Sequence, residues 1–178
     1  MSSKKDKSIN LDKYFMSIAM NLAKARNGLT GLNPAVGCLI VKNNKILSFG
    51  QTGFNGRPHA EFEAIQKCKK KDLKGSSIYI TMEPCTHYGK TPPCANLIIQ
   101  LKIKKVIYSV NDVDERTTNK AYSFLKSKKI NVSKGLLKSE VIKIYKNYFQ
   151  QKNIKKPYVA AKIACSNDYF TSSDNKFI

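Results

Sequence analysis

Tryptophan is absent, and arginine nearly so: Arg26, Arg57 and Arg116 are the only arginines among 32 basic residues in a chain of 178. Specific reading of nucleic-acid bases leans on bidentate arginine, so a charge carried almost wholly by lysine argues against a nucleic-acid partner. No apolar run approaches the roughly 20 residues that a membrane-spanning helix needs, and Met1 to Ser8 lacks the apolar centre of a secretory signal. These absences point to a cytoplasmic protein with no membrane partner. Acidic residues number only 12, which leaves a formal net charge of +20 and a surface that attracts anions. Most of that charge reads as solvated lysine faces, and the rest as steering toward a phosphate. The cysteines are five, an odd number, and in a reducing compartment they suit metal ligands or buried thiols better than a disulfide framework.

The length fits one ordinary domain with a real core. Residues 1–10 read as a flexible arm. From Leu11 to Arg26 apolar positions Tyr14, Phe15, Ile18, Leu22 and Ala25 recur at helical spacing, with Asn27-Gly28 as the stop signal. Val36 to Val41 and Lys45 to Phe49 flank Asn43-Asn44, the pattern of a tight hairpin. Further along, helical periodicity over Pro58 to Lys71 alternates with a strand at Ser77 to Thr81, a helix at Pro92 to Leu101 and a strand at Lys105 to Val110. A helix near Thr118 to Lys128, a strand near Ile130 to Ser133, a helix near Lys138 to Gln150 and a last strand at Pro157 to Ala164 complete the pattern. Such alternation predicts an α/β layered fold whose connecting loops carry function.

Three candidate metal ligands each follow a proline: His59 in Pro58-His59-Ala60-Glu61, Cys85 in Glu83-Pro84-Cys85, and Cys94 in Pro92-Pro93-Cys94. Proline suits the first turn of a helix, so all three are expected at helix starts, where a thiol's pKa is lowered. One imidazole and two thiolates suit Zn²⁺ and leave a fourth tetrahedral position open, the signature of a catalytic site. Glu61, two residues after His59, is placed to act as a general acid and base that does not itself bind metal. A structural site would need a fourth protein ligand, and Cys68 lies roughly 13 Å along the helix from His59. Cys38 and Cys165 read as core thiols.

The segment from Cys85 to Cys94, Cys-Thr-His-Tyr-Gly-Lys-Thr-Pro-Pro-Cys, together with Asn33-Pro-Ala-Val-Gly-Cys38 and His59-Ala60-Glu61, closely resembles the deaminase domain of the bifunctional riboflavin-biosynthesis deaminase/reductase. The resemblance implies a three-layer αβα sandwich with a central mixed sheet, cytidine deaminase-like, over residues 11–152. It implies hydrolytic deamination of a phosphorylated pyrimidine, diaminohydroxyphosphoribosylaminopyrimidine, to the aminouracil phosphate. By position, Asn33 would hold the pyrimidine or ribose, while Lys90 and Asp112 would contact the phosphoribosyl arm. Two positions depart from the family pattern. Thr52 stands where a substrate-contacting histidine is usual, and Asp114 replaces an asparagine, bringing a second carboxylate toward a phosphate that it would repel. Residues 153–178 resemble a linker and the first strand of a reductase domain, so NADPH enters only if a full reductase domain exists outside this chain. A homo-oligomer is expected.

Two other readings compete. A nucleic-acid deaminase, acting for example on tRNA adenosine, would use the basic surface for steep, salt-sensitive binding. A degenerate, zinc-stabilised binding module would keep the metal and lose turnover.

Overall fold

The computed structural model describes residues 4–154, 159, 161–169, 171–173 and 176–177. The elements run α1 (Lys4–Ala25), β1 (Gly37–Lys42), β2 (Lys45–Gln51), a 3₁₀ turn at Phe54–Gly56, α2 (Ala60–Gln66), α3 (Lys70–Leu73) and β3 (Ser77–Met82). They continue with α4 (Cys94–Gln100), β4 (Lys105–Val110), α5 (Lys120–Ser127), β5 (Asn131–Lys134), α6 (Lys138–Ile154), β6 (Ser172–Ser173) and β7 (Lys176–Phe177).

Five strands form one mixed sheet in the order β2-β1-β3-β4-β5. The β1–β2 and β1–β3 pairs are antiparallel, whereas β3–β4 and β4–β5 are parallel and joined through α4 and α5. Side chains alternate across the sheet as the pleat requires. Cys38 and Ile40 of β1, Ile78 and Ile80 of β3, and Val106 and Tyr108 of β4 pack with α2, α4 and α5 on one face. Leu39, Val41, Tyr79 and Ile107 pack against α1 on the other, and at the strand ends Met82 and Val110 join a cluster with Met20 of α1 and Val141 and Tyr145 of α6. The result is the three-layer αβα sandwich. Each fully buried aliphatic or aromatic side chain contributes about 1.5–3 kcal/mol to that packing.

The β1–β2 turn follows its sequence closely: Asn43 and Asn44 both take positive φ, 51° and 59°, as a two-residue hairpin of right-handed strands demands. Other expectations are corrected. Helix α1 already includes Lys4 to Asn10, so that part of the supposed arm is helical, and Met1 to Ser3 lie outside the described residues. Its buried stripe is Phe15, Met16, Ala19, Met20 and Ala23, while Tyr14 is 56% exposed; the core side is rotated by about one residue from the apolar pattern. The helix expected through Lys71 breaks after Gln66 and restarts as α3, which turns Leu73 into the core and leaves Lys69, Lys70 and Lys71 in water. Of the strand expected at Pro157 to Ala164, Pro157, Tyr158 and Ala160 lie outside the described residues. Val159 and residues 161–164 are exposed and irregular, and among the described residues no strand pairs with them. Cys165, expected in a core, is exposed, whereas Cys38 is fully buried.

Candidate active site

A cavity of about 640 Å³ opens where β3 and β4 end, bounded by the segments before β1 and after β2. Ligand sites of open α/β sheets favour this place, because the loops after parallel strands converge there. His59 directly precedes α2 with extended backbone (φ −68°, ψ 151°), so its ring stands at the helix tip. Helix α2 can lie this close to the sheet because Gly50 has no side chain; a Cβ there would come within 2.2 Å of the Ala60 carbonyl oxygen. Cys94 is the first residue of α4. Cys85 is not at a helix start, contrary to expectation: it lies in the irregular chain three residues beyond Met82. That chain folds back on itself, with the Cys94 N–H donating to Cys85 Sγ (3.3 Å) and the Ala95 N–H donating to the Cys85 carbonyl (3.1 Å).

This fold brings His59, Cys85 and Cys94 together with one donor atom each, all within 4.8 Å of one another. His59 Nδ1 stands 3.7 Å from Cys85 Sγ and 3.5 Å from Cys94 Sγ. A tetrahedral zinc ion with Zn–S near 2.3 Å and Zn–N near 2.0–2.1 Å would hold its sulfur and nitrogen ligands about 3.5 Å apart. The donor set therefore fits zinc in both chemistry and spacing. The Cys85 thiol is lowered to about 4, chiefly because its sulfur accepts a hydrogen bond from Cys94, with His59 and the Cys94 N–H adding to the effect. Cys94 is pushed up, chiefly by the hydrogen bond its thiol makes to the Cys85 sulfur and then by burial, with the nearby negative charges adding to the effect.

Glu61 lies in the first turn of α2, lines the cavity, and is only 4% exposed. It is not one of the three converging donors. Burial is the main cause that pushes its carboxyl up to about 7, and the neighbouring His59 opposes the rise. A carboxyl poised near neutrality can both take and return a proton.

Asn33, Thr52, Lys90, Asp112 and Asp114 all line the same cavity. Asn33 rests on Gly56, whose φ is +88° and whose missing Cβ would come within 2.0 Å of the Asn33 amide nitrogen. Thr52 is 2% exposed; its hydroxyl donates to the Pro34 carbonyl (3.0 Å) and accepts the Val36 N–H (2.8 Å), so its one proton is committed to the shoulder before β1. Asp112 accepts hydrogen bonds from the Tyr148 hydroxyl (2.9 Å) and the Asp114 N–H (3.1 Å). Asp114 does not stand free beside an incoming anion. Arg116 grips it with two bonds, Nε at 2.8 Å and Nη2 at 2.7 Å, and Lys152 Nζ lies 3.7 Å away. These cations hold the Asp114 carboxyl well below the usual range, with the Arg116 hydrogen bond the largest cause.

Sequence reasoning missed Arg57, His87, Arg116, Tyr148 and Lys152, which also line the cavity. His87 was detectable, since it lies inside the Cys85–Cys94 segment. Tyr148 and Lys152 come from α6, far along the chain, and nothing local marks them.

The family model of the cytidine and deoxycytidylate deaminase zinc-binding region matches residues 9–110, which hold all three ligands and Glu61. Among curated proteins, the diaminohydroxyphosphoribosylamino-pyrimidine deaminase of Buchnera aphidicola subsp. Schizaphis graminum is 42% identical over 140 residues, 79% of this chain and 95% of that one. Riboflavin biosynthesis protein RibD of Aquifex aeolicus is 37% identical over 158 residues, 89% of this chain but 44% of that protein. Among solved structures, RibD of Acinetobacter baumannii superposes with a TM-score of 0.82 at 34% identity, covering 93% of this chain and 46% of that one. The chain thus spans about half the length of these RibD proteins. With the zinc-binding region matched from α1 to the end of β4 and the three donors converging within it, the chain belongs to the cytidine and deoxycytidylate deaminase family.

Proposed function

We propose that the protein is a zinc-dependent hydrolase that deaminates diaminohydroxyphosphoribosylaminopyrimidine to the corresponding aminouracil phosphate, a step of riboflavin biosynthesis. The observation that carries this reading is the convergence of His59, Cys85 and Cys94 beside the buried carboxyl of Glu61 at the base of one cavity. The pyrimidine deaminase from Buchnera, matched over nearly its whole length, supports the choice of substrate. The nucleic-acid reading is not favoured: the relatives named above are a pyrimidine deaminase and riboflavin-biosynthesis proteins.

His59, Cys85 and Cys94 would hold the zinc ion, which when bound supplies a Lewis acid that brings the pKa of water down to about 7. Glu61 takes one proton from the attacking water and delivers it to the ring nitrogen, then takes the second from the hydroxyl so formed on the ring carbon and passes it to the amine, which leaves as ammonia while the carbonyl forms. Asn33, seated on Gly56, holds the ring or ribose, and Lys90 and Asp112 contact the phosphoribosyl arm. Asp114, clamped by Arg116, shapes the same wall. Thr52 contributes through the backbone shoulder that it supports. A homo-oligomer in the cytoplasm belongs to the same reading, supported by the exposed Ile46 and Phe49 on edge strand β2 and by five cysteines that are all free. Residues 11–152 form the deaminase unit in this view, and NADPH enters only if a full reductase domain exists outside this chain.

The test is direct. Purified protein is mixed with the phosphoribosylaminopyrimidine, and ammonia release is followed before and after treatment with a zinc chelator. Chelation should stop release and added zinc should restore it. A zinc-loaded protein that releases no ammonia would leave only a metal-stabilised binding module.

A further inference from the structure

Four cations line the cavity, and they divide by what they touch. Arg116 and Lys152 are engaged by Asp114 on the wall formed by α6 and the loop after β4. Arg57 and Lys90 stand on the other wall, and among the described residues neither makes an ion pair with a carboxylate. Arg57 spans two loops: its Nη1 donates to Thr91 Oγ1 at 2.8 Å, which pins the guanidinium to the Cys85–Cys94 segment just beyond Lys90. This bond fixes the fork while leaving most of its five N–H donors unused.

The floor between these groups is Gly89. A Cβ placed there would stand 3.7 Å from Arg57 Nη2 and 4.0 Å from His87 Nε2, so two side-chain nitrogens approach the bare, exposed backbone of this glycine. His87 Nδ1 is paired with Thr117 Oγ1 at 2.9 Å. When the threonine hydroxyl donates in that pair, Nε2 carries the proton and faces the glycine as a donor. A planar fork and an imidazole N–H beside a glycine backbone, with Lys90 next in the chain and lining the same cavity, suit a tetrahedral dianion, with Arg57 the bidentate member.

We propose that Gly89 is the floor of the phosphate seat and that Arg57 is its principal anchor, a positioning residue that sets which pyrimidines are accepted. The inference rests on the deaminase reading above for its substrate. It places the phosphate on the Arg57 wall and assigns Arg116 and Lys152 to neutralising Asp114. Because Arg57 lies two residues before His59 and is bonded to the loop carrying both cysteines, the seat is tied to the elements that hold the metal ligands. The reacting ring and the phosphate are thus located by the same two loops.

The experiment uses the zinc-loaded protein in four forms: wild type, Arg57→Ala, Arg57→Lys, and Lys128→Ala as a remote surface change of equal charge. KM and kcat for ammonia release are measured with the phosphorylated pyrimidine and with its dephosphorylated counterpart. Loss of one charge-assisted anchor should raise KM for the phosphorylated substrate about tenfold or more in Arg57→Ala, with kcat within about twofold. The dephosphorylated compound should show little change, and Arg57→Lys should recover part of the loss. Equal KM increases for both substrates, an unchanged KM, or an equal effect from Lys128→Ala would each overturn the proposal. Binding of inorganic phosphate, followed by phosphorus NMR, makes the test independent of turnover. If the wild type binds phosphate and Arg57→Ala does not while neither form releases ammonia, the seat stands and the deaminase reading falls. If both forms bind phosphate equally, Arg57 is not the anchor.

Discussion

Glu61 answers two demands with one side chain: it must lie beside three metal ligands without joining them, and it must hold a proton firmly enough to carry one near neutral pH and still pass it on. Its place in the first turn of α2 meets the first demand, and burial meets the second by lifting the carboxyl to about 7. Replacing Glu61 with Gln should cut turnover by about 10²–10⁴-fold, the usual worth of a positioned general acid and base. Metal analysis of the same variant should still find one zinc per chain. The raised carboxyl also has a consequence for the metal-free protein. A glutamate in the unfolded chain titrates near 4.3. Because the folded form binds this proton more tightly, the group stabilises the fold fully below its unfolded value, and the contribution is lost as pH rises through about 7. Urea unfolding of metal-free wild type and Glu61→Gln between about pH 4 and 8 should show that the variant lacks this part of the decline. Parallel curves would refute the assignment.

At the level of elements, the junction of β3 with α5 decides where one wall of the cavity stands. The Glu83 carboxylate, just past β3, accepts the N–H groups of Ala121 (2.9 Å), Asn119 (3.0 Å) and Asp112 (3.2 Å). Helix α5 begins after Asn119 in a left-handed conformation with no cap from its own side chain, so Glu83 does that work from a neighbouring strand. Glu83→Ala leaves three backbone donors without this partner and should cost about 2–4 kcal/mol, read from the urea midpoint; Glu83→Gln, which keeps one acceptor oxygen, should cost less. A neutral result for Glu83→Ala would remove the carboxylate from this role. The sequence revealed elements where the signal was local. Asn43-Asn44 announced the hairpin, and Lys105 to Val110 was read at its observed bounds because its apolar run had clear polar flanks. It concealed what depends on distant partners, such as the rotation of α1 onto the sheet, the break before α3, and a helix cap supplied from 36 to 38 residues away.

The whole molecule shows the same division between near and far. All three metal ligands and Glu61 fall within Cys94 and the 35 residues before it, and proline punctuation makes them readable. The opposite wall, with Tyr148 and Lys152, arrives only when α6 packs on the sheet. The ion should therefore stabilise the domain as a unit, since its ligands join the start of α2, the end of β3 and the start of α4. With free zinc at about 100 times its dissociation constant, binding adds about 2.7 kcal/mol, equivalent to about 5–10 °C in melting temperature for a chain of this size. Calorimetry before and after chelation should show that drop and its reversal by added zinc; an unchanged melting point would exclude a resident ion at these donors. One detail of the cysteine loop governs how such an ion comes and goes. The backbone of residues 94 and 95 is already laced to residue 85 through two hydrogen bonds. Folding has thus absorbed the entropy of gathering the sulfurs, and a returning ion meets a docking cradle whose two sides need no search for each other.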